Sequence, residues 1–139
     1  MNKILLIKNY YSRLWGEKDL TAVDHYCHQD LKVYTTIGPN IEYKGSHIFK
    51  RKITEWFKGF PNIKVICNRI YEEEDTIICE WTTNLTHSGD FRGYVATGNT
   101  FINEGTSIFK IHDGKIIERK DVYNASKFLK ELTFSPIED

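Results

Sequence analysis

The chain has 139 residues with 19 basic and 19 acidic side chains, so its formal net charge is zero. Nucleic-acid binding needs a basic face, and this balance therefore argues against a DNA- or RNA-binding protein. The length predicts a single domain, residues 1–139, with a core that needs neither disulfides nor metals for its stability.

Cysteine content and hydropathy favour a cytoplasmic protein. The three cysteines are Cys27, Cys67 and Cys79, and no two of them form a C-x-x-C pair. A sparse, odd-numbered set favours reduced thiols and a cytoplasmic location. The opening MNKILLIKNYY holds four consecutive apolar residues, too few for a signal peptide or a membrane span.

The first part of the chain predicts two helices and a strand. Apolar residues recur at near-helical spacing over 3–15, and Gly16 ends this helix. Asp19 is a candidate N-cap for a second, short helix that runs to about Tyr26. The segment LKVYTT (31–36) alternates as a strand and leads into the turn GPN.

A third helix is predicted from residue 46 onward. Ser46 is its candidate cap, and Gly59 and Pro61 end it. The large apolar residues that recur at helical intervals are Phe49, Ile53, Trp56 and Phe60.

The rest of the chain predicts a β meander and a closing helix. Asp113-Gly114 is a strong hairpin signal, and the acidic run 72–75 marks a second turn. The predicted strands are 63–73, 76–88, 99–111 and 115–123, and the predicted helix is 125–132.

Helices followed by a long antiparallel meander predict an α+β fold. Long strands with helices on one face curl, so we expect a strongly curved sheet and a cone-shaped pocket for a hydrophobic small molecule. The outer face is expected to hold Val65, Ile78 and Ile102. Such a face is most simply covered by a second copy of the chain, so we expect a homodimer.

Four segments carry a family resemblance: WFKGFPNIKV (56–65), EEEDTIICEWTTNLTHSGDFRG (72–93), ATGNTF (96–101) and FKIHDGKIIERKDVYN (109–124). In this order they resemble the SnoaL-like polyketide cyclases of the nuclear transport factor 2-like (cystatin-like cone) superfamily. Asn62 and Ala96 depart from the family pattern, which has Asp and Pro there. The likeness covers nearly the whole chain and implies the curved-sheet, cone-shaped fold.

Asp121 is the main catalytic candidate. Strand alternation places Ile117, Arg119, Asp121 and Tyr123 on one face. The resemblance implies that Asp121 is a general acid/base, which takes a proton from a carbon next to a carbonyl and later returns it to oxygen. The alternative is a structural carboxylate that pairs with Arg119.

His87 and Tyr34 are the next candidates. Counting by twos from Ile77 places His87 on the same face as Trp81, and the resemblance implies that it lines the pocket and donates a hydrogen bond to a substrate oxygen. The alternative is a histidine at the exposed rim of the sheet. Tyr34 stands where the family often has histidine, and its hydroxyl remains a candidate donor.

Several aromatic residues could line the pocket or simply fill the core. They are Trp15, Trp56, Phe60 and Trp81, and Tyr123 shares the face of Asp121. Asn103 and Glu104 are neighbours on one strand, so at most one of them points inward, and the sequence leaves open which.

A metal site is not expected. His25 and His28 would share a helix face, but no third ligand is evident. No cofactor is expected either, and the resemblance implies acid/base chemistry on an apolar carbonyl compound, as in aldol cyclisation or isomerisation. A non-catalytic carrier of a hydrophobic molecule is the alternative. Epoxide hydrolysis is a third hypothesis, for which Arg119 and Asp121 supply part of an Asp-Arg-Asp set.

Overall fold

The computed structural model describes residues 2–36 and 38–134. Its helices are α1 (Lys3–Tyr10), which continues into a π-helical turn (Tyr11–Gly16), α2 (Thr21–Tyr26), α3 (Ser46–Gly59) and α4 (Ala125–Thr133). Its strands are β1 (Cys27–Tyr34), β2 (Ile41–Lys44), β3 (Lys64–Glu73), β4 (Thr76–Thr86), β5 (Thr100–His112) and β6 (Lys115–Tyr123).

The six strands form one curved, unclosed sheet in the order β2-β1-β6-β5-β4-β3, and this confirms the predicted α+β class. Strands β3 to β6 are the predicted meander, paired antiparallel in sequence order. Strand β1 joins the other side of β6 in parallel, and β2 completes the edge. One continuous sheet therefore joins two strands from the first third of the chain to the meander.

Helix starts differ slightly from the sequence prediction. Leu20, and not Asp19, occupies the N-cap position of α2. Asp19 still caps the helix through its side chain, because its Oδ1 accepts the Thr21 N–H at 3.0 Å. Ser46 is the first residue of α3 instead of its cap, because Gly45 takes that position with φ 109°. A positive φ of this size is easy only for glycine.

The alternation predicted for β4 is confirmed by burial. Ile77, Cys79, Trp81, Thr83 and Leu85 are all buried on the inner face, and α1 and α3 pack against that side of the sheet. Tyr10 and Tyr11 meet Phe109 edge-to-face, with ring centroids 5.5 and 5.9 Å apart. A second cluster lies near α4 and comprises Phe60, Ile63, Leu85, Phe91, Phe128 and Leu132.

A β-bulge at Ile117 changes which residues of β6 face the core. Lys110 pairs with Glu118 while Ile111 pairs with Ile116, so Ile117 is the extra residue. Ile116 is therefore buried in the core on the side of Arg119, and the prediction that Ile117 shares the face of Asp121 is wrong.

The outer face of the sheet is partly apolar, with one correction. Val65 lines the inner side, and Ile66 is the outward residue of β3, 56% exposed. Ile102 is 51% exposed, and Ile108 on β5 and Val122 on β6 are exposed on the same face. Dimerisation through this face stays a prediction.

Cys67 and Cys79 form a disulfide between β3 and β4, so the expectation of three reduced thiols is wrong for these two. Cys27 is a free, buried thiol. A cytoplasmic location stays a prediction. None of the helices in the described residues is long and apolar enough to cross a membrane.

Candidate active site

A cavity of about 150 Å³ opens between the π-helical turn, α3 and the inner face of the sheet. Its volume is close to that of a cavity known to hold one benzene molecule, so it has room for about one aromatic ring. Its aromatic wall consists of Tyr11, Trp15, Tyr34, Tyr43, Phe49, Trp56, Trp81 and Tyr123.

Asp121 lies in this wall at the centre of a hydrogen-bond network. Arg119 Nη2 donates to both of its oxygens, at 2.7 Å to Oδ1 and 2.6 Å to Oδ2. Ser107 Oγ also donates to Oδ1, at 2.5 Å. Trp81 Nε1 donates in turn to Ser107 Oγ at 2.9 Å. The network fixes the orientation of the carboxylate.

Arg119 is the buried partner in this network. Its side chain is 9% exposed, against 28% for Asp121. Burial disfavours the charge of the guanidinium, but the Asp121 carboxylate opposes this effect and leaves the pKa of Arg119 above its ordinary value. The guanidinium also stacks over the Phe49 ring, 4.7 Å from its centroid. Arg119 is therefore a permanent positive charge in the cavity wall.

Tyrosine hydroxyls surround the ion pair. Burial is the largest influence on Tyr11 and raises its pKa above the ordinary value, and the charge of Asp121 adds to the rise. Burial likewise raises the pKa of Tyr43 to about 12. Both hydroxyls stay protonated at neutral pH and can donate hydrogen bonds.

Gly105 makes the position of Trp81 possible. A Cβ atom at residue 105 would lie 2.5 Å from Trp81 Cζ2 and 2.6 Å from the carbonyl oxygen of Val122. Only glycine leaves room for the indole to cross β5. The Trp81 N–H can then reach Ser107, two residues farther along that strand.

Six of the predicted site residues line the cavity, and two do not. Those in its wall are Trp15, Tyr34, Trp56, Trp81, Asp121 and Tyr123. Phe60 and His87 lie outside it, both fully buried, with ring centroids 5.5 Å apart. The Tyr34 hydroxyl donates to Glu118 Oε1 at 3.2 Å, so it is already engaged.

His87 faces inward as the alternation of β4 predicts, but it packs into the protein beyond the cavity. Its Nδ1 accepts the Thr97 N–H at 3.2 Å, so that nitrogen carries no proton and Nε2 does. Nε2 has no hydrogen-bond partner among the described residues. In this position His87 supports the 96–99 loop and does not reach the cavity.

Two polar cavity residues on β5 were missed or left open in the sequence. Asn103, and not Glu104, faces inward, and Ser107 lies on the same face of β5. The signal was the row Asn103, Gly105 and Ser107, where a core strand would carry large apolar residues.

No second aspartate lines the cavity among the described residues, so the Asp-Arg-Asp set for epoxide hydrolysis is incomplete. No group of three potential metal ligands occurs in that part of the chain either.

Several solved structures share this fold. AclR from Streptomyces galilaeus is 24% identical, with a TM-score of 0.80 over 97% of this chain and 83% of that one. A SnoaL-like protein from Jannaschia sp. CCS1 is 16% identical, with a TM-score of 0.86 over 96% of this chain and 92% of that one. TerC, co-crystallised with polyporic acid, is 15% identical, with a TM-score of 0.73 over 93% and 96%.

No curated protein matches the chain in sequence. The sequence profile of the SnoaL-like polyketide cyclases, by contrast, matches residues 5–132. That match covers nearly the whole chain and includes every residue of the cavity wall named above. The chain therefore belongs to the SnoaL-like polyketide cyclase family.

Proposed function

We propose that the protein is a small-molecule enzyme that moves a proton on a carbon next to a carbonyl group, with Asp121 as the acid/base. One observation carries the proposal: a carboxylate lies in the wall of an aromatic cavity and is held there by a buried arginine and a serine. A general base must be fixed within hydrogen-bond reach of the proton that it removes.

The network favours one oxygen of Asp121 as the proton acceptor. Oδ1 of Asp121 accepts from both Arg119 and Ser107, which occupies both of its lone pairs. Within the described part of the chain, Oδ2 accepts only from Arg119, so one lone pair remains. Oδ2 is therefore the proton acceptor in the proposal.

The proposed reaction begins when Asp121 Oδ2 removes a proton from the α-carbon and the carbonyl oxygen becomes an enolate. In an aldol cyclisation the enolate carbon attacks a second carbonyl group of the same molecule and forms a C–C bond. The carboxylic acid then returns its proton to the new alkoxide. In an isomerisation the proton returns to a different carbon. Arg119 and the protonated Tyr11 stabilise the negative charge on oxygen.

A carrier of a hydrophobic ligand is the second candidate. The observation that favours it is the two-point contact between Arg119 and Asp121, which balances the charge of the carboxylate without a substrate. The carrier hypothesis predicts that ligands bind the cavity without any proton exchange.

The test is exchange of α-hydrogen for deuterium in acetophenone dissolved in D₂O, followed by proton NMR. It detects α-proton removal even when the natural substrate is unknown. We expect exchange with the wild type, and a fall of about two to four orders of magnitude in Asp121→Asn, the usual effect of losing a general base. Glu104→Gln is the matched control, because Glu104 is exposed and does not line the cavity.

Three results are decisive. Exchange that persists in Asp121→Asn refutes the role of Asp121. Acetophenone binding without exchange in the wild type supports the carrier instead. Loss of exchange in Asp121→Asn, with binding intact and Glu104→Gln unaffected, supports the enzyme.

A further inference from the structure

Two polar side chains line the cavity on the side away from Asp121. Thr83 and Asn103 lie directly opposite each other on β4 and β5, and both face inward. Thr83 is 4% exposed and Asn103 is 8% exposed. The Thr83 hydroxyl has no hydrogen-bond partner among the described residues.

An unpaired buried hydroxyl is costly, because it has lost water and gained no replacement. On the other side of Thr83 its partner on β3 is Val65, whose apolar side chain also lines the cavity and offers no hydrogen bond. The Thr83 hydroxyl is itself closed to solvent, so a ligand oxygen in the cavity would supply its missing hydrogen bond after the side chain turns about its Cα–Cβ bond. The Asn103 amide, beside it in the same wall, can both donate and accept.

The sheet fixes the separation between this pair and the ion pair. Asn103 and Ser107 are four residues apart on β5, which corresponds to about 13 Å along an extended strand. Trp81 and Gly105 lie between them in neighbouring register positions. The cavity floor is thus polar at both ends and aromatic in the middle.

We propose that Thr83 and Asn103 form a second oxygen-binding site, which recognises a neutral hydroxyl or carbonyl group at the end of the ligand farther from Asp121. The ligand class is a flat, single-ring carbonyl compound with oxygen at both ends. The ring fits the volume of about 150 Å³ and packs on Trp81. The position of the reacting carbonyl rests on the proposed function, whereas the second site itself does not.

The test compares the affinities of acetophenone and 4-hydroxyacetophenone by isothermal titration calorimetry. The two probes differ only in the oxygen at the far end. We expect the wild type to bind the hydroxylated ketone about 2- to 13-fold more tightly, the effect of one net hydrogen bond. Thr83→Val and Asn103→Leu should each reduce this ratio towards one.

Thr83→Val keeps the shape of the side chain and removes an unsatisfied hydroxyl, so we expect it to fold and to be at least as stable as the wild type. Thr106→Val is the matched control. Thr106 lies between inward-facing Gly105 and Ser107 on β5, so it points to the outer face, and the ratio should not change there.

Equal affinities in the wild type would overturn the inference, and so would a preference that survives in both variants. Failure of either ketone to bind at millimolar concentration would overturn it too, because the cavity accommodates one ring. A clear preference without α-exchange would refute the proposed enzyme and leave the second site standing. α-Exchange without any preference between the two ketones would refute the second site and leave the proposed enzyme standing.

Discussion

Removing Asp121 from the Arg119–Asp121 pair is expected to destabilise the protein more than removing Arg119. At 2.6 Å and an effective dielectric constant of about 20, the direct attraction is roughly 6 kcal/mol before the cost of desolvation is subtracted. The Arg119 side chain is 9% exposed and the Asp121 side chain is 28% exposed. Water can therefore solvate Asp121 when Arg119 is removed more easily than it can solvate Arg119 when Asp121 is removed.

Asp121→Leu leaves a buried guanidinium without its counter-ion. Loss of one partner of a buried pair costs about 3–5 kcal/mol of unfolding free energy. Because Asp121 is partly exposed, we expect a loss at the lower end, about 3 kcal/mol. Arg119→Met leaves a carboxylate that keeps its bond to Ser107, so we expect about 1–2 kcal/mol. The double variant Arg119→Met/Asp121→Leu should recover to within about 1 kcal/mol of the wild type, because no charge remains buried.

Urea denaturation of the four proteins gives the free energies of unfolding directly. Glu55→Leu is the control, since it breaks the Glu55–Arg92 pair, whose side chains are 42% and 36% exposed. Exposed pairs contribute about 0–1 kcal/mol. If Asp121→Leu costs no more than Glu55→Leu, Arg119 is effectively solvated and the reasoning from burial is refuted.

Three further predictions follow from the packing and the pKa values. Gly105→Ala should cost about 1–3 kcal/mol through its clash with Trp81, whereas Gly16→Ala should be nearly neutral because the nearest atom lies 3.9 Å away; thermal melts of both variants compare them. Burial raises the pKa of Tyr10 well above 10.0, so the folded protein keeps that proton when the unfolded chain loses it. The stability that Tyr10 provides is therefore present below about pH 10 and falls by about 1.4 kcal/mol per pH unit above it; urea midpoints that do not decline above pH 10 would contradict this. We also propose a homodimer through the outer face, for which light scattering should give twice the 16.3 kDa chain mass, and Ile102→Lys should give the monomer. A wild-type protein that is monomeric at micromolar concentration would rule the dimer out.

The local parts of the fold could be predicted from the sequence. Strand alternation and the Asp113-Gly114 turn identify the four strands of the meander to within two or three residues. The parallel pairing of β1 with β6 could not be predicted, because it joins distant segments and leaves no local pattern. The bulge at Ile117 is equally hidden, since it depends on the register with β5. The Cys67–Cys79 disulfide also depends on how two strands align.

The candidate site was partly predictable for the same reason. Alternation places Asp121 on the inner face, and the structure puts it in the cavity wall. Alternation also turns His87 inward, but it cannot show that the cavity ends before that residue and that packed aromatic rings begin. The burial of Arg119 was not evident, because arginine is usually exposed and only the surrounding α1, β1 and α3 exclude water from it.

The parallel pairing of β1 with β6 has a consequence for the order of folding. The meander can form through contacts between consecutive strands, whereas the pairing of Val33 with Arg119 must close a loop that contains most of the chain. Arg119 and Asp121 are two residues apart on β6, so they can meet early, while the guanidinium is still hydrated. Its burial waits until β1 docks and Phe49 of α3 covers it. Mutations of the ion pair should therefore accelerate unfolding much more than they slow folding.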